Sequence, residues 1–103
     1  MLTLDKAVIA SCFDFASAVA AIRESYVAAS REQVTLPPVG YIRFDESNGD
    51  CHIKAGHIHG QSVFVVKIAT GFYNNPSQGL PSSNGMMLAF SAETGVPLAI
   101  LRD

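Results

Sequence analysis

GYIRFDESNGDCHIKAGHIHGQSVFVVKIATG, residues 40–71, decides the fold, because it predicts three antiparallel strands joined by two short connections. Gly60 and Gln61 separate two strand-like runs, and glycine at the first position of a two-residue loop is typical of a type II′ hairpin turn. That turn predicts a register with the pairs His59/Ser62, His57/Phe64, Ala55/Val66, Lys54/Lys67 and Ile53/Ile68. The polar segment 45–50 predicts a second hairpin, with the pairs Phe44/Cys51, Arg43/His52 and Ile42/Ile53.

Strand alternation divides these side chains between two faces of the predicted sheet. The apolar face, which we expect to be the core, holds Ile42, Ile53, Ala55, Phe64, Val66 and Ile68. The opposite face, called the lysine face below, holds Tyr41, Arg43, His52, Lys54 and Lys67, with Val63 and Val65 toward the loop end.

The lysine face places Lys54 directly opposite Lys67, and a like-charge cross-strand pair weakens a sheet. One explanation is that both lysines extend into water, where two unit charges at contact cost only about 1 kcal/mol. The other is an anion site, in which a carboxylate bound among Arg43, Lys54 and Lys67 turns repulsion into attraction. Both readings stay open at this point.

The composition limits the class of protein. The chain has 103 residues, enough for one domain with one core, and we expect residues 1–103 to form a single domain. Hydrophobic residues make up 49% and charged residues only 16%, which predicts a homo-oligomer, most simply a dimer, that buries the excess apolar surface. A net charge of −2 and no Lys/Arg run among aromatics argue against nucleic acid as a partner.

Cys12 and Cys51 lie in no metal-binding spacing, and no signal peptide precedes them, so we expect reduced thiols in the cytoplasm. The apolar stretches are too short to span a bilayer. His57 and His59 share a strand face but lack a third ligand at a suitable spacing, so no metal site is predicted. Ser82 and Ser83 have no identifiable His/Asp partner for serine hydrolysis.

Helices are predicted before the sheet and two more strands after it. Thr3 is the expected N-cap of a short helix with Val8, Ile9 and Cys12 on its buried side. Asp14 is the expected N-cap of a longer helix, whose apolar stripe should lie on the sheet and consists of Phe15, Val19, Ile22 and Tyr26. Segments 86–91 and 97–101, joined by a turn over 92–95, predict a hairpin buried on both faces, with a second subunit as the expected cover.

The connection 72–85, FYNNPSQGLPSSNG, is rich in turn residues and long for a compact domain. It predicts either a functional loop that offers neutral hydrogen bonds to a ligand on the lysine face, or an ordered crossover to the next strand.

Segments 34–44, VTLPPVGYIRF, and 65–103 resemble the amino-terminal part of the ornithine cyclodeaminase/mu-crystallin family. The family motif K-x(n)-N-P-x-x-G-L-P-[ST] matches Lys67, Asn75, Pro76, Gly79, Leu80, Pro81 and Ser82. A second family turn, D-x-x-[ST]-G-x-P-L-A, is matched by Thr94, Gly95, Pro97, Leu98 and Ala99, with Glu93 beside them. The resemblance implies an α+β substrate and dimerisation domain that pairs with a second subunit through its sheet. From the residues we expect amino-terminal helices packed on a mainly antiparallel sheet of about five strands.

The resemblance also implies binding roles. The family lysine that holds and polarises the substrate falls on Lys67, the arginine for the substrate carboxylate on Arg43, and the hydroxyl residue of the loop on Ser82. Some relatives have the arginine where this chain has Val39, and some have a glutamate where it has Lys54. Full-length relatives add a Rossmann domain for NAD(P), but no G-x-G-x-x-G follows a strand here. We therefore expect no cofactor and no catalysis by these residues alone.

Three hypotheses remain open from the sequence. The chain is a dimeric module that binds a small carboxylate, an interaction module that pairs with itself or with a full-length relative, or half of an NAD(P)-dependent enzyme whose cofactor domain is supplied in trans.

Overall fold

A seven-stranded mixed sheet with two helices forms the fold of the computed structural model, which describes residues 1–102. The strands are β1 (Leu2–Leu4), β2 (Val34–Thr35), β3 (Gly40–Phe44), β4 (Gly49–Ile58), β5 (Val63–Phe72), β6 (Ser83–Ser91) and β7 (Pro97–Arg102). The helices are α1 (Lys6–Cys12) and α2 (Phe15–Ser30). Neither helix is long and apolar enough to cross a membrane within the described range.

The sheet order is β1-β7-β6-β5-β4-β2, and β3 pairs with β4 along the same edge as β2. Only β1 and β7 run parallel among these pairs. The α+β class and the antiparallel core of the sheet are confirmed. The predicted count of about five strands is wrong, because β1 and β2 are three and two residues long and carry no alternating pattern.

The β4–β5 register is confirmed over the paired residues, with Lys54 opposite Lys67 and Ile53 opposite Ile68. The turn differs from the predicted one: the amide of Gln61 donates to the Ile58 carbonyl at 3.0 Å, and Gly60 has φ +89°. The central turn residues are therefore His59 and Gly60, and glycine occupies the second central position, where a positive φ is needed. The ladder consequently ends at Gly56/Val65, short of the predicted pairs His57/Phe64 and His59/Ser62.

The β3–β4 register is shifted by two residues from the prediction. Arg43 faces Asp50, Tyr41 faces His52 and Ile42 faces Cys51. The cause is a turn of 3-10 helix at Asp45–Ser47 that ends at Asn48 in the left-handed region, φ 49°, so that Gly49 and Asp50 already belong to β4. A shift of two residues preserves the faces, so Arg43 stays on the lysine side.

The predicted core is wrong for this chain. Ile42 and Ile53 of the apolar face are 47% and 37% exposed, and Cys51 is the only buried hydrophobic side chain among residues 1–102. The helices lie on the lysine side instead, where Ile9 shares a cleft with Lys67 and Leu101. The apolar face thus lacks a covering layer from the described part of the chain.

Helix α2 also differs from the prediction. Its apolar stripe is exposed, from 50% at Val19 to 75% at Tyr26, whereas Ala18, Ser25 and Ala28 are half-buried. On α1, Val8 and Cys12 are exposed and Ile9 is half-buried. The last hairpin, β6–β7, has the predicted strands and turn. Met86 and Met87 are 40% and 38% exposed in the single chain, and their burial by a second subunit stays a prediction.

One of the two predicted helix N-caps is confirmed and the other is wrong. Asp14 caps α2 as predicted, because its carboxylate accepts from the Ser17 amide at 3.0 Å and from the Ser17 hydroxyl. The cap of α1 is Asp5, which accepts from the Val8 amide at 2.9 Å, while Thr3 belongs to β1.

We predict that α2 becomes less stable in acid through its cap. The hydrogen bonds from the Ser17 hydroxyl and amide lower the pKa of Asp14, so its contribution is complete above the unfolded pKa and is lost as pH falls through the lowered pKa of the folded state. Asp14→Asn, which caps without titrating, should weaken that acid loss relative to the parent, measured by the circular dichroism signal at 222 nm below pH 4. Equal acid loss in both proteins would contradict the role of Asp14.

Candidate functional site

The lysine face carries a pair of neighbouring cations at its centre. Lys54 and Lys67 are direct cross-strand partners, both exposed, and with His52 and Ala69 they line a cleft of about 170 Å³. Lysine ammonium groups donate hydrogen bonds only, so this cleft suits an acceptor that carries negative charge. The predicted meeting of Lys54 and Lys67 on one face is present.

A larger cleft of about 530 Å³ continues from Lys67 toward the β5–β6 end of the sheet. Its wall includes Lys6, the first residue of α1, together with Ser83 and Asn84 at the start of β6. Lys6 is a third cation near Lys67 that the sequence did not reveal. The missing signal is the parallel pairing of β1 with β7, which brings the start of α1 beside the sheet.

Arg43 occupies a different cleft, of about 330 Å³, whose lining includes Tyr41, Asp50 and Tyr73. Its guanidinium forms an ion pair with Asp45 at 2.9 Å, and both side chains are mostly exposed. In the observed register Arg43 lies four residues along the sheet and two strands across from Lys67, or about 13 Å by about 10 Å between backbones. The structure therefore does not bring Arg43 into contact with the two lysines, although all three share a face.

The exposed Arg43–Asp45 pair is a weak restraint, since such pairs contribute at most about 1 kcal/mol. Release of Arg43 from Asp45 therefore costs little.

Ser82 is placed outside the clefts around Lys67. Its carbonyl accepts from the Phe72 amide at 2.8 Å, while Pro81 and Ser83 line the larger cleft. The connection before it is shorter than predicted, because β5 extends to Phe72 and β6 begins at Ser83. It joins neighbouring antiparallel strands, so it is not a crossover, and it contains a 3-10 turn at Asn75–Gln78.

A Tyr–Asp pair lies at the Arg43 end of the face. The Tyr73 hydroxyl donates to Asp50 Oδ2 at 3.3 Å, and the negative charge of Asp50 raises the pKa of Tyr73, as do burial and this hydrogen bond. Gly71 makes room for the ring, because a Cβ there would meet the Tyr73 hydroxyl at 2.7 Å.

No group of three or more His, Cys, Asp or Glu residues suited to a metal ion occurs within residues 1–102. His57 Nε2 lies 2.9 Å from the Gln61 carbonyl oxygen, and His59 Nε2 lies 3.0 Å from the Thr35 hydroxyl. Both imidazoles are thus engaged at the hairpin end.

The charge of Asp50 gives a direct test of the Tyr73 environment. Asp50→Asn should lower the pKa of Tyr73 toward its ordinary value, because the carboxylate no longer opposes formation of the phenolate. An alkaline absorbance titration at 295 nm measures this, with Tyr73→Phe identifying its contribution among the three tyrosines. An unchanged curve in Asp50→Asn would contradict the contact.

Two curated relatives of this chain are named as a dehydrogenase and a cyclodeaminase. No family model matches the chain. A Rhizobium meliloti protein named as a candidate dehydrogenase is 37% identical over 84% of this chain, and an uncharacterised cyclodeaminase of Sinorhizobium fredii is 41% identical over 68%. This chain spans 26% and 21% of those two relatives, about a quarter of their length.

Solved structures have the same fold over 99% of this chain. Pyrroline-2-carboxylate reductase of Thermococcus litoralis, solved with NADH and L-proline, has a TM-score of 0.92 at 20% identity, and the chain covers 32% of it. An archaeal alanine dehydrogenase dimer with bound NAD has a TM-score of 0.91 at 26% identity and 31% coverage. A structure named for a probable ornithine cyclodeaminase of Bordetella pertussis has a TM-score of 0.81 at 20% identity and 30% coverage.

Proposed function

We propose, from the confirmed resemblance of this chain to the ornithine cyclodeaminase family, that it is a dimerising module that binds a small carboxylate and has no catalytic activity by itself. The observation that carries the binding half of the proposal is the Lys54/Lys67 pair, whose repulsion a bound carboxylate relieves. Relatives are named as dehydrogenases and a cyclodeaminase, and solved neighbours hold NAD or NADH. Those activities and cofactors belong to proteins about three times as long.

The carboxylate is proposed to bind over Ala69, between the ammonium groups of Lys54 and Lys67, with Arg43 reaching it from the neighbouring cleft. Ser82 is also proposed as a loop contact, since its neighbours Pro81 and Ser83 line the cleft beside Lys67. The L-proline in the Thermococcus litoralis structure supports a small amino or imino acid as the class of ligand.

The proposed dimerisation through the apolar face is supported by the large solvent-exposed area of the chain. The chain exposes 7674 Å², whereas a compact monomer of 11.0 kDa exposes about 5,600 Å². Its radius of gyration is 15.8 Å, against about 13 Å for a compact domain of this length. The excess, about 2,000 Å², is shared between the apolar face and the exposed stripe of α2, and it is within the range that each subunit buries in a permanent dimer.

A second copy of this chain is the occupant we propose for the apolar face. The face is rich in Ile, Phe and Met, and its charged residue Arg102 lies at the β7 edge opposite Met86, so a second copy can cover the apolar centre across a twofold axis without like charges meeting there. The archaeal alanine dehydrogenase is described as a dimer, which supports the same assembly here.

A regulatory role by pairing with a full-length relative is the second candidate, and the same uncovered face favours it. A cofactor domain supplied in trans is the third, supported by the NAD and NADH in the neighbours. Adding purified full-length relative separates these, since mixed dimers support the second, and NADH-dependent turnover above that of the relative alone supports the third.

We predict that Lys67→Ala abolishes ligand stabilisation. A thermal-shift screen with amino, imino and keto acids should raise the midpoint of the parent by several degrees at saturating ligand, since binding at 100 times Kd adds about 2.7 kcal/mol. Arg23→Ala, which removes one positive charge from exposed α2, is the matched control and should keep the shift. No shift with any acid, or an equal loss in Arg23→Ala, would reject the site.

We predict that Ile53→Glu weakens the dimer more than tenfold, because it places a charge in the apolar interface. Val65→Glu is the control, since Val65 is 38% exposed and Ile53 37%, but Val65 lies on the lysine face. Analytical ultracentrifugation across micromolar concentrations measures the dissociation constant. A monomeric parent protein, or equal weakening in both variants, would exclude the apolar face as the dimer interface.

A further inference from the structure

His52 lies at the centre of the lysine face, between the two lysines and the Arg43 cleft. It is half-buried and lines the small cleft with Lys54, Lys67 and Ala69. The resemblance gives it no role, and it differs in kind from its neighbours, because a neutral imidazole can accept a hydrogen bond and an ammonium group cannot.

The imidazole of His52 is held from two sides. The Tyr41 ring, on its cross-strand partner, lies 4.8 Å away between centroids. Asp50 Oδ1 lies 3.8 Å from His52 Nδ1, and Asp50 is itself held by the Tyr73 hydroxyl. Because Tyr73 folds over Gly71, the absence of a side chain at Gly71 helps to set this arrangement.

Asp50 lies on the Nδ1 side of the imidazole, at 3.8 Å and therefore beyond hydrogen-bond distance. A neutral imidazole carries its proton on one ring nitrogen and accepts at the other, and a carboxylate on the Nδ1 side favours the tautomer whose acceptor is Nε2. Within residues 1–102, Nε2 forms no hydrogen bond and is open to a ligand. The cleft therefore combines two lysine donors with an imidazole nitrogen that can accept a hydrogen bond.

We propose that His52 Nε2 accepts a hydrogen bond from an amino or hydroxyl group on the carbon next to the bound carboxylate. His52 is then a specificity-determining residue, and Asp50 and Tyr41 are positioning residues. This inference rests on the proposed carboxylate site. It adds that the cleft prefers α-hydroxy and α-amino acids to the matching α-keto acids, which lack the donor and leave Nε2 unpaired.

Lactate and pyruvate are the probes, because they differ at the α-carbon by the hydroxyl donor. Calorimetric titration of the full chain should show lactate binding at least tenfold more tightly than pyruvate. His52→Phe keeps a ring against Tyr41 but has no acceptor, so it should lose about tenfold for lactate and less than about twofold for pyruvate. His52→Gln, whose amide oxygen is an acceptor, should recover part of the lactate preference.

Asp50→Asn tests positioning by a separate readout. It should reduce the ratio of lactate to pyruvate affinity while leaving pyruvate affinity within about twofold, since the lysines are untouched. Equal losses for both acids in His52→Phe and His52→Gln would overturn the role of His52 and leave the carboxylate site intact. Failure of the parent protein to bind either acid would overturn both proposals.

Discussion

Strand alternation gives this sheet two faces of opposite chemistry, and the helices cover only one of them. The helices approach the lysine face, where Lys6 and Ile9 of α1 line clefts that also contain Lys67. The apolar face has no such cover, and Cys51 is the single buried hydrophobic side chain in the described range. A chain with 49% hydrophobic residues cannot gain much stability in this form, because apolar surface stabilises a fold only when it is removed from water. The proposed dimer and the proposed ligand cleft are consequences of this one asymmetry, on opposite sides of the same strands.

The sequence predicted those parts of the fold that local chemistry determines. The β4–β5 register followed from alternation around Gly60, even though the turn itself begins one residue earlier, because alternating apolar residues fix pairing more strongly than turn type does. The β3–β4 register was not predicted correctly, because no sequence pattern in residues 45–50 indicates a 3-10 turn. That turn ends early enough for Gly49 and Asp50 to belong to the sheet. The stripe on α2 has the correct helical period, but a period shows only that an apolar side exists. It does not show whether the sheet or another molecule covers that side.

The residues of the candidate site also divide into those that local chemistry predicts and those that it does not. Lys54 and Lys67 were predictable because they are direct partners in one hairpin, whereas Arg43 depends on the shifted second hairpin and lies in a separate cleft. Lys6 reaches the lysine face because β1 pairs with β7. Tyr73 reaches it because its ring folds over Gly71. Contacts of that kind join residues far apart in the chain, or depend on one side-chain direction, and a single sequence carries no periodic signal for them.

The parallel β1–β7 pair has a consequence for the order in which the molecule assembles. Leu2 pairs with Ala99 and Leu4 with Leu101, so β1 can dock only once β7 is available. Such a contact closes a loop that spans nearly all of residues 1–102, and it is therefore among the slowest to form. Until then Lys6 is not fixed beside Lys67. The wall that α1 adds to the cleft around Lys67 is therefore among the last parts of the described fold to form, after the antiparallel strands β3 to β7 have paired.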